Sequence, residues 1–205
     1  MLEDMTRALL VIDVQESFRQ RPLWAAISNP QIADDVARLV DGVRAGGDLV
    51  VWVLHTEPGT GGAFDPANGH VRFIEPLAPR ADEPVFTKTS HNAFTTTRLQ
   101  QLLTQRGITE LVVCGIRTEQ CCETTARVAS DLGYAVAFVT EATATNPIPH
   151  RDAPAERSVE ELLADPRTLP ASAVIERTEY ALAGRFATIA TIEEVIGASA
   201  ALTRS

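Results

Sequence analysis

Glu110-Leu-Val-Val-Cys-Gly-Ile-Arg-Thr-Glu-Gln-Cys-Cys-Glu-Thr-Thr-Ala-Arg127 changes character halfway along. Leu111-Val-Val-Cys114 is an apolar, β-prone run. It breaks at Gly115, and the residues beyond the break read as a helix. Thr118 is expected to act as the N-cap, its hydroxyl accepting from amides of the first turn. Cys121 then falls at the third helical position, among unpaired N–H groups at the positive end of the helix dipole. That setting lowers a thiol's pKa and makes it a nucleophile. The stretch therefore predicts a strand, a tight turn and a helix start that present one sulfur at the end of a sheet.

The flanking sequence supplies the rest of the sheet. Arg7–Asp13 and Asp48–His55 are continuous apolar runs closed by polar residues, as expected for strands buried on both faces. Glu83–Lys88, Tyr134–Thr140 and Arg185–Thr191 read as further strands. Val14–Pro22 reads as a polar loop. Helices are expected from Asn29-Pro30 to Gly46-Gly47, from Thr95 to Gly107, from Thr118 to Gly133, from Ser172 to Ala183, and over Ile192–Ile196. Thr56–Ala81 reads as a long loop. The Pro-, Asp- and Arg-rich stretch from Thr143 to Pro170 carries a short helical pattern at Val159–Ala164. Alternating strands and helices imply one domain, a three-layer α/β/α fold with a six-stranded parallel sheet.

Composition is consistent with this. The chain has 205 residues, 45% hydrophobic and 22% charged, and a formal net charge of -9; mean hydropathy is +0.00. An acidic, scattered charge distribution argues against nucleic acid or an anionic membrane as partner. No apolar run reaches the ~18 residues of a membrane span. Met1-Leu-Glu-Asp-Met-Thr6 reads as neither signal nor transit peptide. Three cysteines, two of them adjacent, form no disulfide framework. The expectation is a cytoplasmic protein with free thiols.

In parallel sheets, sites form at the carboxyl ends of strands. Asp13 ends the first strand, Lys88 ends the third and Cys121 follows the fourth. Asp13 can take a thiol proton, Lys88 can balance the charge, and amides in the Gly115–Thr118 turn and at Cys121 can hold an oxyanion. Taken singly, each has a plainer explanation: a loop acid, a solvated lysine, a small buried cysteine. Their shared rim favours catalysis.

Three segments carry a family resemblance: Leu-Val-Ile-Asp13-Val-Gln15-Glu-Ser-Phe18; Lys88-Thr-Ser-His-Asn-Ala-Phe94 with Thr97 and Leu99; and Val-Cys-Gly115-Ile-Arg-Thr118-Glu-Gln-Cys121-Cys-Glu-Thr-Thr-Ala126. In this order and at these intervals they resemble the isochorismatase-like cysteine hydrolases, relatives of nicotinamidase and N-carbamoylsarcosine amidohydrolase. The resemblance implies an Asp13–Lys88–Cys121 triad, a cis peptide at Ile116–Arg117, an oxyanion hole from the amides of Arg117 and Cys121, and a homodimer or homotetramer. It also implies hydrolysis of a C–N bond in a small amide, ureido or lactam substrate through a thioester. Family members without the cysteine, such as isochorismatase, cleave a vinyl ether instead.

Nicotinamidases of this family carry an Asp-x-His…His zinc set. The matching run here is Val53-Leu54-His55, without the acid, and two histidines (His55 and His70) make a poor site. A site free of metal and cofactor is expected. Phe18, Trp24, His55, Phe64 and Phe94 are candidates for the substrate pocket wall, with ordinary packing as the alternative for each. The segment around 146–170 reads as an insertion over the pocket or toward a neighbouring subunit. Two other readings of the chain are a thiol or redox sensor using Cys121 and Cys122, and a small-molecule binding module. Against nucleotide binding, no Gly-rich phosphate loop follows the first strand.

Overall fold

The computed structural model describes residues 6–202; the leading segment Met1–Met5, read above as carrying no targeting signal, lies outside them. Six strands form one parallel sheet: β1 (Arg7–Ile12), β2 (Leu49–His55), β3 (Val85–Lys88), β4 (Glu110–Ile116), β5 (Ala135–Ala144) and β6 (Thr188–Ala190). Their order is β3-β2-β1-β4-β5-β6. The chain winds outward from β1 to β3, then returns to place β4 beside β1. The order of winding reverses between β1 and β4, and ligands bind at such a switch point in open α/β sheets.

Alternation along the strands divides the core. Leu9, Val11, Val50, Trp52 and Val112 face one side, under α2 (Ile32–Ala45) and α7 (Ile192–Leu202). Leu10, Ile12, Val51, Val53, Val113 and Phe138 face the other, under α3 (Leu99–Gln105), α4 (Glu123–Asp131) and α6 (Ala171–Leu182). Helix α2 buries Ile32, Val36, Leu39, Val40 and Val43 on one stripe, with acids in its first turn and Arg44 in its last, both favourable to the helix dipole.

The expected boundaries shift where local chemistry competes. Val14–Pro22 is not a plain loop: it holds the short helix α1 (Glu16–Arg19), and a 3-10 turn, Pro22–Ala26, follows. Asn29 does not begin α2. Its side chain accepts from the Gln31 amide, and α2 starts at Ile32. Helix α3 starts at Leu99 rather than Thr95, because Thr95–Thr97 are engaged in side-chain hydrogen bonds with Asn92, Ser90 and the Ala93 carbonyl. Helix α7 runs well past Ile196, β6 is shorter than read, and β5 continues beyond Thr140 to Ala144 after a register shift opposite Val113 and Gly115. In the Thr143–Pro170 segment, α5 (Val159–Ala164) carries a capping box between Ser158 and Glu161, and Ile148 bridges Leu169.

Gly115 fixes how closely β1 and β4 approach. It pairs with Ile12 and has φ 127°. A Cβ there would lie 1.9 Å from the Ile12 carbonyl oxygen. Gly115→Ala is therefore expected to destabilise the fold by about 3 kcal/mol or more, combining an unfavourable backbone conformation with overpacking. Equilibrium urea denaturation with an unchanged midpoint would contradict this.

Candidate active site

The switch point brings Asp13, Lys88 and Cys121 together. Asp13 leaves β1 in the left-handed region, at φ 55°, a conformation that aspartate tolerates better than most residues. Its amide donates to the Val53 carbonyl at 2.9 Å, which ties the bend to β2. Lys88, two strands away, reaches back across the end of β2. Its ammonium donates to Asp13 Oδ2 at 2.7 Å and to the Ser90 carbonyl at 3.1 Å. It also lies 3.5 Å from Cys121 Sγ and 3.4 Å from His55 Nδ1. Asp13 and Lys88 are fully buried and Cys121 is 7% exposed. Asp13 Oδ1 lacks a hydrogen bond of ordinary geometry, yet the Cys121 thiol lies close enough to interact with the carboxylate.

The expected lowering of the Cys121 pKa is reversed. Burial, reinforced by the Asp13 carboxylate, pushes the thiol up to about 12, with Lys88 pulling against it. Burial likewise holds Asp13 above the ordinary carboxylate range, again opposed by Lys88. Desolvation and a neighbouring carboxylate both disfavour a thiolate, and so act against the helix-start effect. The helix start is also built differently. Thr118–Cys122 forms a π-helical turn with Arg117 at its cap position, and Thr118 caps nothing. Its hydroxyl instead donates to Thr143 Oγ1 at 2.9 Å, and Thr143 donates on to the Thr140 carbonyl. The shifted register of β5 is what puts Thr143 opposite Gly115 and within reach.

A further prediction comes from the buried thiol. Iodoacetamide labelling of the free protein should be slow near neutral pH and climb about tenfold per pH unit as the thiolate fraction grows. It should fall on Cys121 before the fully buried Cys114 and Cys122. Mass mapping across pH checks both points; a labelling rate independent of pH would contradict the protonated thiol.

The turn before the sulfur is held as firmly. The Ile116–Arg117 peptide bond is cis. Arg117 Nη2 lies 3.2 Å from Glu119 Oε1, an ion pair not aligned as a hydrogen bond. Thr145 bridges the two, donating to Glu119 Oε2 and accepting from Arg117 Nε.

Of the candidate wall residues, His55 does approach the centre. Burial and the Lys88 charge lower its pKa, so the ring is neutral at neutral pH. Nδ1 faces the Lys88 ammonium and accepts, which leaves Nε2–H to donate to Glu57 Oε1 at 3.3 Å. Phe64 packs edge-on against both His55 and Phe18, with centroids 5.6 and 5.0 Å apart. Trp24 sits half-buried in the 3-10 turn under the Arg19 guanidinium. Phe94 departs from the expectation. It stacks on Tyr134 at 6.2 Å in the core beneath α3 and α4, because Ala93 is anchored to Thr125 on α4.

Sequence reading assigned no role to Gln15, although it is central here. Its side chain is buried, accepts from the His55 amide and donates to the His55 carbonyl and Ser17 Oγ. This clasps the end of β2 and aims His55. A glutamine two residues after a strand-ending acid was the available signal. The roles of Ser90, Glu57 and Thr145 depend on tertiary contacts alone.

Among the described residues, no group of three or more His, Cys, Asp or Glu side chains could hold a metal ion. No described helix is long and apolar enough to cross a membrane. A cavity of about 450 Å³, lined by Arg7, Glu110, Phe186 and Thr188 among others, lies at the amino ends of the strands, away from this chemistry.

The isochorismatase domain matches residues 7–168. The chain belongs to the isochorismatase family of hydrolases. Streptothricin hydrolase of Streptomyces noursei is 39% identical over 148 residues, covering 70% of this chain and 56% of the relative. Nicotinamidase 3 of Arabidopsis thaliana is 34% identical over 153 residues, covering 67% and 73%. A solved structure of a putative isochorismatase-family hydrolase from Chromobacterium violaceum is similar with TM-score 0.82 at 26% identity, covering 95% of this chain and 93% of that one. Among isochorismatase-family chains, the parallel sheet expected from the alternating pattern is thus the shared architecture.

Proposed function

We propose that this protein hydrolyses a C–N bond in a small amide, ureido or lactam compound, with Cys121 as nucleophile. The observation that carries the reading is the buried contact of one lysine ammonium with both a carboxylate and a thiol, 2.7 Å from Asp13 and 3.5 Å from Cys121. Streptothricin hydrolase and a nicotinamidase among the relatives are consistent with it.

The chemistry rests on charge balance. With the thiol protonated, Lys88 and Asp13 make a neutral unit. Moving the thiol proton to Asp13 leaves Lys88 paired with a thiolate, and the unit is still neutral. The transfer therefore adds no net charge to a dry site, where an isolated charge costs several kcal/mol. Sγ attacks the carbonyl carbon as its proton passes to Asp13. The amides of Arg117 and Cys121 hold the oxyanion. Asp13 gives the proton to the departing nitrogen, the C–N bond breaks, and an acyl thioester remains. Asp13, again a carboxylate, takes a proton from water, whose oxygen attacks the thioester. The acid leaves and the proton returns to sulfur. Neutral His55 accepts from Lys88 and keeps the ammonium aimed at this pair.

Ammonia release from a panel of primary amides and ureido compounds tests the proposal. Asp13→Asn should cut the rate by roughly 10³-fold or more, since asparagine cannot take up the thiol proton. Full activity in that variant, or no release from any compound, would rule the mechanism out.

A further inference from the structure

A second cavity, about 260 Å³, lies between the Pro22–Ala26 turn and the 146–170 segment. This is just below the roughly 300–1,000 Å³ usual for drug-sized ligands, and so suits a smaller molecule. Its lining is two-sided in chemistry. Leu23, Pro149, Val159 and Leu162 supply apolar surface, while Arg21 and Arg157 supply two guanidinium groups. Arg21 is exposed and Arg157 half-buried, and neither forms an ion pair or side-chain hydrogen bond among the described residues. The acid Glu161 accepts from the Ser158 amide in the α5 cap and forms no ion pair with either arginine. In a chain with a net charge of -9, two arginines left without carboxylates in one apolar cavity are complementary to an anion from outside.

The cavity is also wired to the candidate active site. Asn146 Nδ2 donates to the Leu23 carbonyl at 2.7 Å. Its neighbour Thr145 bonds both Glu119 and Arg117 in the turn before Cys121. The Arg21 charge is felt at Arg117.

We propose that this cavity binds a small carboxylate carrying an apolar body, the carboxylate held by Arg21 and Arg157 and the body lying on Leu23, Val159 and Leu162. Guanidinium forks match carboxylates in geometry, and the apolar lining disfavours a densely hydrated anion such as phosphate. The carboxylate is either the remote end of the hydrolysed substrate or a separate molecule.

Hexanoate is the probe, titrated by calorimetry, with hexanol as its neutral counterpart. Hexanoate should bind and hexanol should bind at least tenfold more weakly. Arg21→Gln and Arg157→Gln should each weaken hexanoate by roughly tenfold, as expected for losing a charged hydrogen bond. Unchanged melting temperatures would show that both variants fold. Absence of hexanoate binding, equal binding of hexanol, or unchanged binding in both variants would overturn the proposal. These measurements need no turnover, so they stand or fall apart from the hydrolase reading. Comparing ammonia release from hexanamide and from the monoamide of adipic acid then identifies the source. If the arginine variants lose a preference for the acid-bearing amide, the carboxylate belongs to the substrate. If they bind hexanoate weakly yet keep the same preference, it belongs to a separate ligand.

Discussion

Cys121→Ser is expected to lower the rate of amide hydrolysis by about 10⁴-fold or more while leaving the fold intact, the scale seen when a covalent nucleophile is lost. Serine is nearly isosteric, and Cys121 packs where either atom fits, beside Cys122 and Ala126 in the core under α4. A hydroxyl, however, is far harder to ionise than a thiol, and this thiol is itself pushed up to about 12 by burial and by Asp13. Asp13 then faces a proton it cannot usefully take. Single-turnover measurements with trapping of the acyl-enzyme separate the steps: the wild-type protein should show acyl transfer to sulfur and the variant none. Ammonia release that persists at the wild-type rate would remove Cys121 from the chemistry. It would favour the reading of Cys121 and Cys122 as a thiol sensor, although all three cysteines are buried and unpaired.

Lys88→Met is expected to be the most destabilising substitution at the site, by about 3–5 kcal/mol near neutral pH, because it strands a buried carboxylate without its partner. Asp13 and Lys88 have side chains with no solvent exposure and a 2.7 Å contact. Burial already raises the Asp13 pKa against the opposing pull of Lys88; without Lys88 it rises further. The sign of the pH dependence is set by that direction. A carboxylate whose folded pKa lies above its unfolded value contributes fully to stability below the unfolded value, and that contribution is lost as pH rises through the folded pKa. The variant should therefore regain part of the deficit as pH falls from about 7 toward about 5. Asp13→Asn placed on the same background should recover most of it at all pH values. Chemical denaturation of the three proteins across pH measures this. A deficit independent of pH, and unrelieved by Asp13→Asn, would mean that the lysine's packing rather than its charge is what the site needs. Activity should be lost in either case, since the thiolate formed during attack has no counter-charge.

The sheet and the convergence of Asp13, Lys88 and Cys121 were legible in the sequence for a shared reason. Continuous apolar runs such as Arg7–Ile12 and Leu49–His55 can be buried only in a sheet covered on both faces, and their polar ends mark the carboxyl rim. Asp13 and Cys121 follow such runs and Lys88 closes the short edge strand β3, so their approach is a consequence of topology once β4 returns beside β1. The amino-acid chain by itself thus determined the parallel fold and the rim on which Asp13, Lys88 and Cys121 meet, whereas the close approach of the Ile12 carbonyl to Gly115, inside β4 rather than at its break, emerged only in the folded sheet.

Tertiary structure decided the electrostatics and the finer geometry. The helix-start rule treats a terminal amide as the main influence on a thiol, but only the folded core reveals that Cys121 is desolvated beside a carboxylate, which reverses the shift. Thr118 had the chemistry of a cap, and its hydroxyl went instead to Thr143, placed there by a register shift that no local pattern encodes. Phe94 had the chemistry of a pocket wall, and the anchoring of Ala93 to Thr125 turned it onto Tyr134. Gln15 acquired its role only when β1 and β2 lay side by side. Periodicity and residue type are local and survive in sequence. Burial, register and the direction of a side chain depend on what lies against it, and here those neighbours come from 25 or more positions away.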